Sequence, residues 1–269
     1  MLLHKVDEPF EDTNYITELK LDGFRTITTK FDNKVRIYTR HNNEITSMFP
    51  ELHDIPMSNG TVLDGEIIVS DDQGKPDFEA VMERFKSKKS VHEISYSVFD
   101  VMYYNDKKIA HLPLLERKEI LNDIITEDSK LINKVQYIEG NANAYFDLVK
   151  QQDLEGIVQK KANSKYQINK RSSDWLKVIN YKYETVNVSG LRKDEFGLLM
   201  TFEDNNKYAG ILEFVTPNGR KEFFSKYRDY VLKEDKKYIY LKPGIKALVK
   251  YRNLTKRGLL RIPSFVEFL

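Results

Sequence analysis

The sequence predicts an α+β chain in two parts, and three observations carry that reading. Strand-like and helical patterns mix through the first two-thirds, the texture turns almost wholly to strands around Tyr183, and no repeat or low-complexity linker intervenes. The expected boundaries are 1–182 and 183–269.

In the stretch TELKLDGFR, Thr17 to Asp22 alternates as a β-strand, so Leu19 and Leu21 share one face and Glu18, Lys20 and Asp22 the other. FRTITTKFDNKVRIYTR reads as two strands joined by a turn at Asp32 and Asn33, and TVLDGEIIV and HEISYSVFDVMYY as two more strands. Between the last two, KPDFEAVMERFKSK places Phe78, Val81, Met82 and Phe85 at helical spacing after Pro76, ending in a basic loop. LPLLERKEILNDII repeats the helical period with Leu114, Leu121, Ile124 and Ile125, as does ANAYFDLVKQQ, and these apolar stripes read as core packing. LEGIVQKKANSKY opens a strand at Glu155, and SSDWLKVIN puts Trp175, Lys177 and Ile179 on one strand face.

In the second part ETVNVSGLRK, FGLLMTFED and YAGILEFVT form a three-strand meander with turns at KDEFG and DNNK. GRKEFFSKYRDYVL sets Phe223, Tyr227, Tyr230 and Val231 on one helical face, and IKALVKYRN and LLRIPSFVEF supply two final strands. Three strands, a helix and two strands fit a small five-stranded barrel of the OB type, a fold that commonly binds nucleic acid.

Composition narrows the function. Charged residues at 31% and hydrophobic ones at 41% describe a globular protein rather than a disordered chain. The net charge of +2 excludes a uniformly basic coat, but lysines and arginines cluster at 86–89, 160–171 and 246–261. No cysteine is present, which removes disulfides, thiolate metal sites and cysteine nucleophiles, and the five histidines lack zinc spacing. No apolar run approaches a membrane span and no signal-peptide pattern opens the chain, so the cytoplasm is the expected compartment.

The charged face of TELKLDGFR has two readings. It is a solvated surface, where exposed ion pairs contribute little, or Lys20 is an amine oriented by carboxylates for nucleophilic attack. Four other stretches bear on the choice. Glu66 in VLDGEIIV is a hairpin rim or a ligand contact. Phe99 in SYSVFDVMY is core or an aromatic plate for a purine. Glu155 is a strand cap or a carboxylate for Mg²⁺. Lys160 and Lys161 follow Glu155, and Lys177 shares a face with Trp175 and Ile179.

The order of these stretches favours the chemical reading. K-x-D-G-x-R from Lys20, D-G-E ending at Glu66, F-D at Phe99, E-G-x-x-x-K from Glu155 and W-L-K ending at Lys177, all before a small barrel, resemble the covalent nucleotidyltransferases: ATP-dependent DNA ligases, RNA ligases and mRNA capping enzymes. Within them the chain is similar to minimal bacterial or phage ATP-dependent DNA ligases, and EPFEDTNYITELKLDGFR and RGLLRIPSF resemble the ligase domain of ligase D.

The resemblance implies an adenylation (nucleotidyltransferase) domain of ATP-grasp-like antiparallel sheets with helices, then an OB-fold domain. It makes Lys20 the nucleophile that takes AMP from ATP, with Asp22 an orienting carboxylate and Lys177 a catalytic phosphate cation. Glu18 would read the adenine amino group, Phe99 stack on the base, Glu66 contact ribose, Arg25 and Arg40 hold ribose or phosphate, and Lys160 assist Lys177. Glu155, with Glu66, would serve Mg²⁺ or Mn²⁺. The substrate implied is nicked double-stranded DNA, handled by a monomer in repair, replication or recombination, with repair or replication proteins as partners. An RNA ligase, a capping-type enzyme or a non-catalytic nucleic-acid-binding relative are the alternatives. Two departures stand out. Ile179 occupies the slot of a second lysine, for which Lys161 or Lys182 would compensate, and the closing R-x-D-K type segment is unmatched, leaving Arg257 and Arg261 as substitutes. No DNA-encircling domain is expected before Thr17, so nick binding is expected from the barrel and the basic stretches. Strict alternation also sets Lys160 on the face opposite Glu155, which leaves either a bulge or a role for Lys160 outside the pocket.

Overall fold

Asp32 and Asn33 both adopt left-handed backbone, the type I′ geometry that matches strand twist, and they close the hairpin the sequence predicts. The computed structural model describes residues 1–87 and 89–269, so Lys88 of the basic run at 86–89 lies outside the described residues. Two compact units result, Met1–Asn180 and Tyr181–Leu269.

In the first unit the elements are β1 (Leu2–Lys5), β2 (Tyr15–Leu19), β3 (Phe24–Phe31), β4 (Lys34–Thr39), β5 (Thr61–Ile68), α1 (Phe78–Lys86), β6 (Ser95–Tyr104), β7 (Lys107–Lys108), α2 (Leu114–Ile124), β8 (Ile132–Lys134), β9 (Tyr137–Glu139), α3 (Ala142–Gln151), β10 (Gly156–Lys161) and β11 (Arg171–Ile179). They build two sheets. One runs β1-β11-β10-β2-β9; the other runs β4-β3-β5-β6-β7, with β8 beside β6. Ile16 and Trp175 of the first meet Val62, Met102 and Phe99 of the second in one apolar cluster, so the sheets pack face to face. Phe146 and Val149 of α3 cover the first sheet's other face on Ile157 and Val178. Val81 of α1 and Leu121 and Ile124 of α2 join Leu63, Ile67, Val98 and Val101 in the core behind the second. Asp77 caps α1 by accepting from the Ala80 amide at 2.9 Å.

The strand expected through Asp22 ends at Leu19. Lys20 still donates its amide to Gly156 at 2.9 Å, but the chain then leaves for the second sheet. At Gly23 it passes so close to β5 that a Cβ would sit 2.4 Å from the Ile67 carbonyl. Lys20 and Asp22 therefore lie on the connection between sheets, not on a strand face.

The second unit holds β12 (Lys182–Arg192), β13 (Gly197–Phe202), β14 (Tyr208–Leu212), α4 (Pro217–Lys226), β15 (Val231–Glu234), β16 (Tyr238–Leu241), β17 (Lys246–Tyr251) and β18 (Ser264–Phe268). Its sheet has seven strands among the described residues, two more than the sequence predicts. The helix starts earlier than expected, at Pro217, and stops at Lys226; Tyr227–Tyr230 form a 3₁₀ turn and Val231 begins β15. All four residues of β15 are exposed, so no hydrophobic alternation marks it. Only Ser264–Phe268 of LLRIPSFVEF is strand. Phe223 sits in a core with Val186, Met200, Leu212 and Val249.

Candidate functional site

Register explains how the first sheet gathers its charged groups. Cross-strand partners share a face, and β10 pairs Val158 with Glu18 and Lys160 with Ile16, while β11 pairs Lys177 with Val158, Trp175 with Lys160 and Ile179 with Gly156. Glu18, Lys160 and Lys177 therefore stand on the face turned to the second sheet, and Ile179 stands with them, buried. Lys161, one residue on from Lys160, faces the other way.

Glu155 precedes β10, and Gly156 resets the alternation. Its φ of 152° and the 2.1 Å a Cβ would leave to the Val178 carbonyl admit only glycine. Strict alternation is thus interrupted at Gly156, between Glu155 and Lys160. Glu155, with its side chain 3% exposed, accepts from Lys20 Nζ at 2.8 Å, while Lys160 lies 2.6 Å from Glu18 Oε2.

Glu18 is a buried carboxylate held by two lysines. Lys118 of α2 pairs with its Oε1 as Lys160 pairs with Oε2. Burial alone would raise its pKa, but the two lysines outweigh burial and hold it below the usual range. Burial pushes Lys160 down to about 8, with the Lys118 charge adding to the shift and Glu18 opposing it. The Lys160 ammonium also lies 4.6 Å from the centre of the Phe99 ring and 4.2 Å from that of Trp175.

Phe99 is the extra residue of a β-bulge, since Asp64 pairs with Asp100 and Gly65 with Val98, and such bulges re-aim side chains. Its ring, half-buried, lies 5.2 Å from the Arg25 guanidinium carbon. Arg25 makes a two-pronged pair with buried Asp64, at 3.0 Å and 2.6 Å, and Tyr166 donates to the same carboxylate at 2.6 Å. The Arg25 fork is thus committed first to Asp64, a partner the sequence reading did not name.

Glu66 is half-buried on β5. Burial pushes its pKa up to about 8, opposed by the Lys20 and Arg25 charges and reinforced by Glu155. Arg40 is the outlier: it is exposed in the turn after β4 and donates to His41 at 3.1 Å. Of the C-terminal substitutes, Arg257 is exposed, whereas Arg261 is buried and reaches Asn253 at 3.3 Å. Leu19 and Leu21, the neighbours of Lys20, line a cavity of about 1000 Å³ with Ile68, Ser97 and Tyr145, but Glu18, Lys20, Glu66, Phe99, Glu155, Lys160 and Lys177 do not line it.

Sequence reading missed Lys118. Its signal was present, because Arg117 and Lys118 fall between Leu114 and Leu121 on the buried stripe of α2, where two cations demand partners. Arg117 finds Asp100, at 2.7 Å and 2.8 Å, with both side chains fully buried.

Two packed sheets thus hold a lysine-carboxylate cluster at their junction. The model of the ATP dependent DNA ligase domain matches residues 2–178, and the chain belongs to that family. The SPbeta prophage-derived DNA ligase-like protein LigB of Bacillus subtilis is 52% identical over 265 residues, covering 98% of this chain and 96% of that protein. A DNA ligase of Methanospirillum hungatei is 26% identical over 93% of the chain, which spans 50% of that relative's length. Among solved structures, mycobacterial DNA ligase D complexed with ATP and MES aligns with 100% of this chain and 95% of its own, at a TM-score of 0.60 and 21% identity, a likeness of fold.

Proposed function

We propose that the chain is an ATP-dependent ligase that seals nicks in duplex DNA, with residues 1–182 as the adenylation domain and 183–269 as an OB-fold domain. The observation that carries this reading is the Lys20 ammonium held at 2.8 Å by Glu155, on the segment next to a doubly paired Glu18. In the proposed first step Lys20 Nζ, its proton passed toward Glu155 Oε2, attacks the α-phosphorus of ATP. The N–P bond forms as the bond to pyrophosphate breaks, leaving lysyl-AMP. The AMP then passes to the 5′-phosphate of a nick, and the adjoining 3′-hydroxyl displaces it as the strand closes.

Each site residue has a part in this reading. Glu18 accepts from the adenine amino group, Phe99 stacks on the ring and Glu66 takes a ribose hydroxyl. Arg25, steadied by Asp64, and Arg40 from the hairpin end hold ribose or phosphate. Lys177, with Lys160, offsets α-phosphate charge, and Asp22 orients the amine.

Glu66 and Glu155 are the pair that would hold Mg²⁺ or Mn²⁺. Their fit rests on donor chemistry: both are carboxylates, the hard oxygen ligands Mg²⁺ takes, and the Glu155 charge is felt at half-buried Glu66. Among the described residues no third acidic, His or Cys side chain completes such a cluster, so the remaining ligands would be phosphate oxygens and water, as Mg²⁺ prefers. When bound, the ion would neutralise phosphate charge.

Nick binding is assigned to phosphate contacts of the basic stretches and the second unit, which makes it salt-sensitive. Among the described residues no helix is long and apolar enough to cross a membrane. The proposed enzyme acts as a monomer in the cytoplasm, with repair or replication proteins as partners. The test is mass spectrometry after incubation with ATP and Mg²⁺, which should find AMP added to Lys20. An undiminished adduct in Lys20→Ala overturns the reading. GTP in place of ATP separates capping chemistry, and nicked duplexes with an RNA strand separate RNA ligation.

A further inference from the structure

We propose that Lys118 is a positioning residue that keeps Glu18 ionised and acceptor-only, and so sets the preference for a 6-amino purine nucleotide over a 6-oxo one. This rests on the reading of Glu18 as the contact to the base. The argument starts from burial: Glu18 is 2% exposed, and an isolated carboxyl in such a place takes up a proton. A protonated carboxyl is a donor as well as an acceptor. Ionised, Glu18 accepts from an amino group at purine C6 and repels a carbonyl there; protonated, it donates to that carbonyl.

Lys118 and Lys160 divide the two oxygens between them. Lys160 cannot fill both roles, because its ammonium is also held between the Phe99 and Trp175 rings. Lys118 comes from a different element, α2, is itself buried, and lies 5.7 Å from the Tyr137 ring centre. Two phenols also feel the Glu18 charge. Burial first, and then nearby carboxylates including Glu18, raise Tyr137 on β9 and Tyr145 on α3, so neither ionises near neutral pH. Removing Lys118 therefore leaves one lysine, shared with two aromatic rings, to hold the charge of a buried carboxylate.

The experiment measures the rate of protein–nucleotide adduct formation with ATP and with inosine triphosphate between about pH 6 and about pH 9. It compares wild type, Lys118→Met, Lys118→Arg and Glu18→Gln, with thermal melts to confirm folding. Lys118→Met keeps the apolar stem and should lower the ATP-over-inosine preference about tenfold at the acid end, with recovery as pH rises. Lys118→Arg should keep the preference, and Glu18→Gln should lose it at every pH. If Lys118→Met does not fold, Lys118→Gln takes its place. A wild-type preference at every pH in the uncharged variant, with Glu18→Gln altered, overturns the role of Lys118 alone. An unaltered preference in Glu18→Gln overturns the base-contact reading beneath it.

Discussion

Lys20 Nζ lies 2.8 Å from Glu155 Oε2, although the two residues are 135 positions apart and neither lies within a strand. The backbone makes this meeting: the Lys20 amide donates to the Gly156 carbonyl and the Asn180 amide to the Glu155 carbonyl, both at 2.9 Å. Removing the Glu155 charge should leave Lys20 misdirected. Glu155→Gln is expected to slow lysyl-AMP formation by about 10²-fold or more, measured by single-turnover adduct formation. A rate within twofold of wild type would exclude the pairing from the chemistry.

Gly156→Ala tests the same relationship through the backbone. A Cβ 2.1 Å from the Val178 carbonyl must push β10 from β11. The variant should be less stable by about 1–3 kcal/mol, by urea denaturation, and should form the adduct more slowly even where it is fully folded.

Glu66 gives a pH-dependent stability. Its folded-state pKa of about 8 lies above the ordinary 4.5, so the folded protein holds this proton more tightly. That contribution is complete below 4.5 and lost as pH rises through about 8. Glu66→Gln does not titrate, so its melting temperature relative to wild type should rise from acid to alkaline pH. A constant difference across the range would contradict the assignment.

Lys160 shifts in the opposite direction. Burial lowers it to about 8, so its positive charge is lost above that pH. If the charge serves adenylation, the wild-type rate should fall about tenfold per pH unit once Lys160 has titrated. Lys160→Arg, permanently charged, should not show that descending limb. The comparison is of profile shape, since a guanidinium between two rings will change the absolute rate.

Arg117 and Asp100 predict a purely structural loss. Both side chains are fully buried, and Arg117 Nη1 also donates to the Ser164 carbonyl at 2.9 Å. Arg117→Met strands the Asp100 carboxylate and should cost about 3–5 kcal/mol, read from denaturant midpoints.

The sequence by itself determined the local pieces: the Asp32–Asn33 hairpin, the amphipathic α1 after Pro76, the apolar stripes of the helices and the ordered motifs that set Lys20, Glu66, Phe99, Glu155 and Lys177 apart. These follow from short-range rules of turn chemistry and periodicity. It missed β15, whose four residues are all exposed and leave no pattern to read. It left open how Lys160 and Glu155 relate, because strict alternation sets them on opposite faces and the conformation of Gly156 between them is not legible from spacing. Tertiary structure alone decided the partners: Glu155 for Lys20, Lys118 for Glu18, Asp64 for Arg25. Each joins elements far apart in the chain, and burial made the pairing compulsory, since a charge removed from water must find its opposite wherever packing places it.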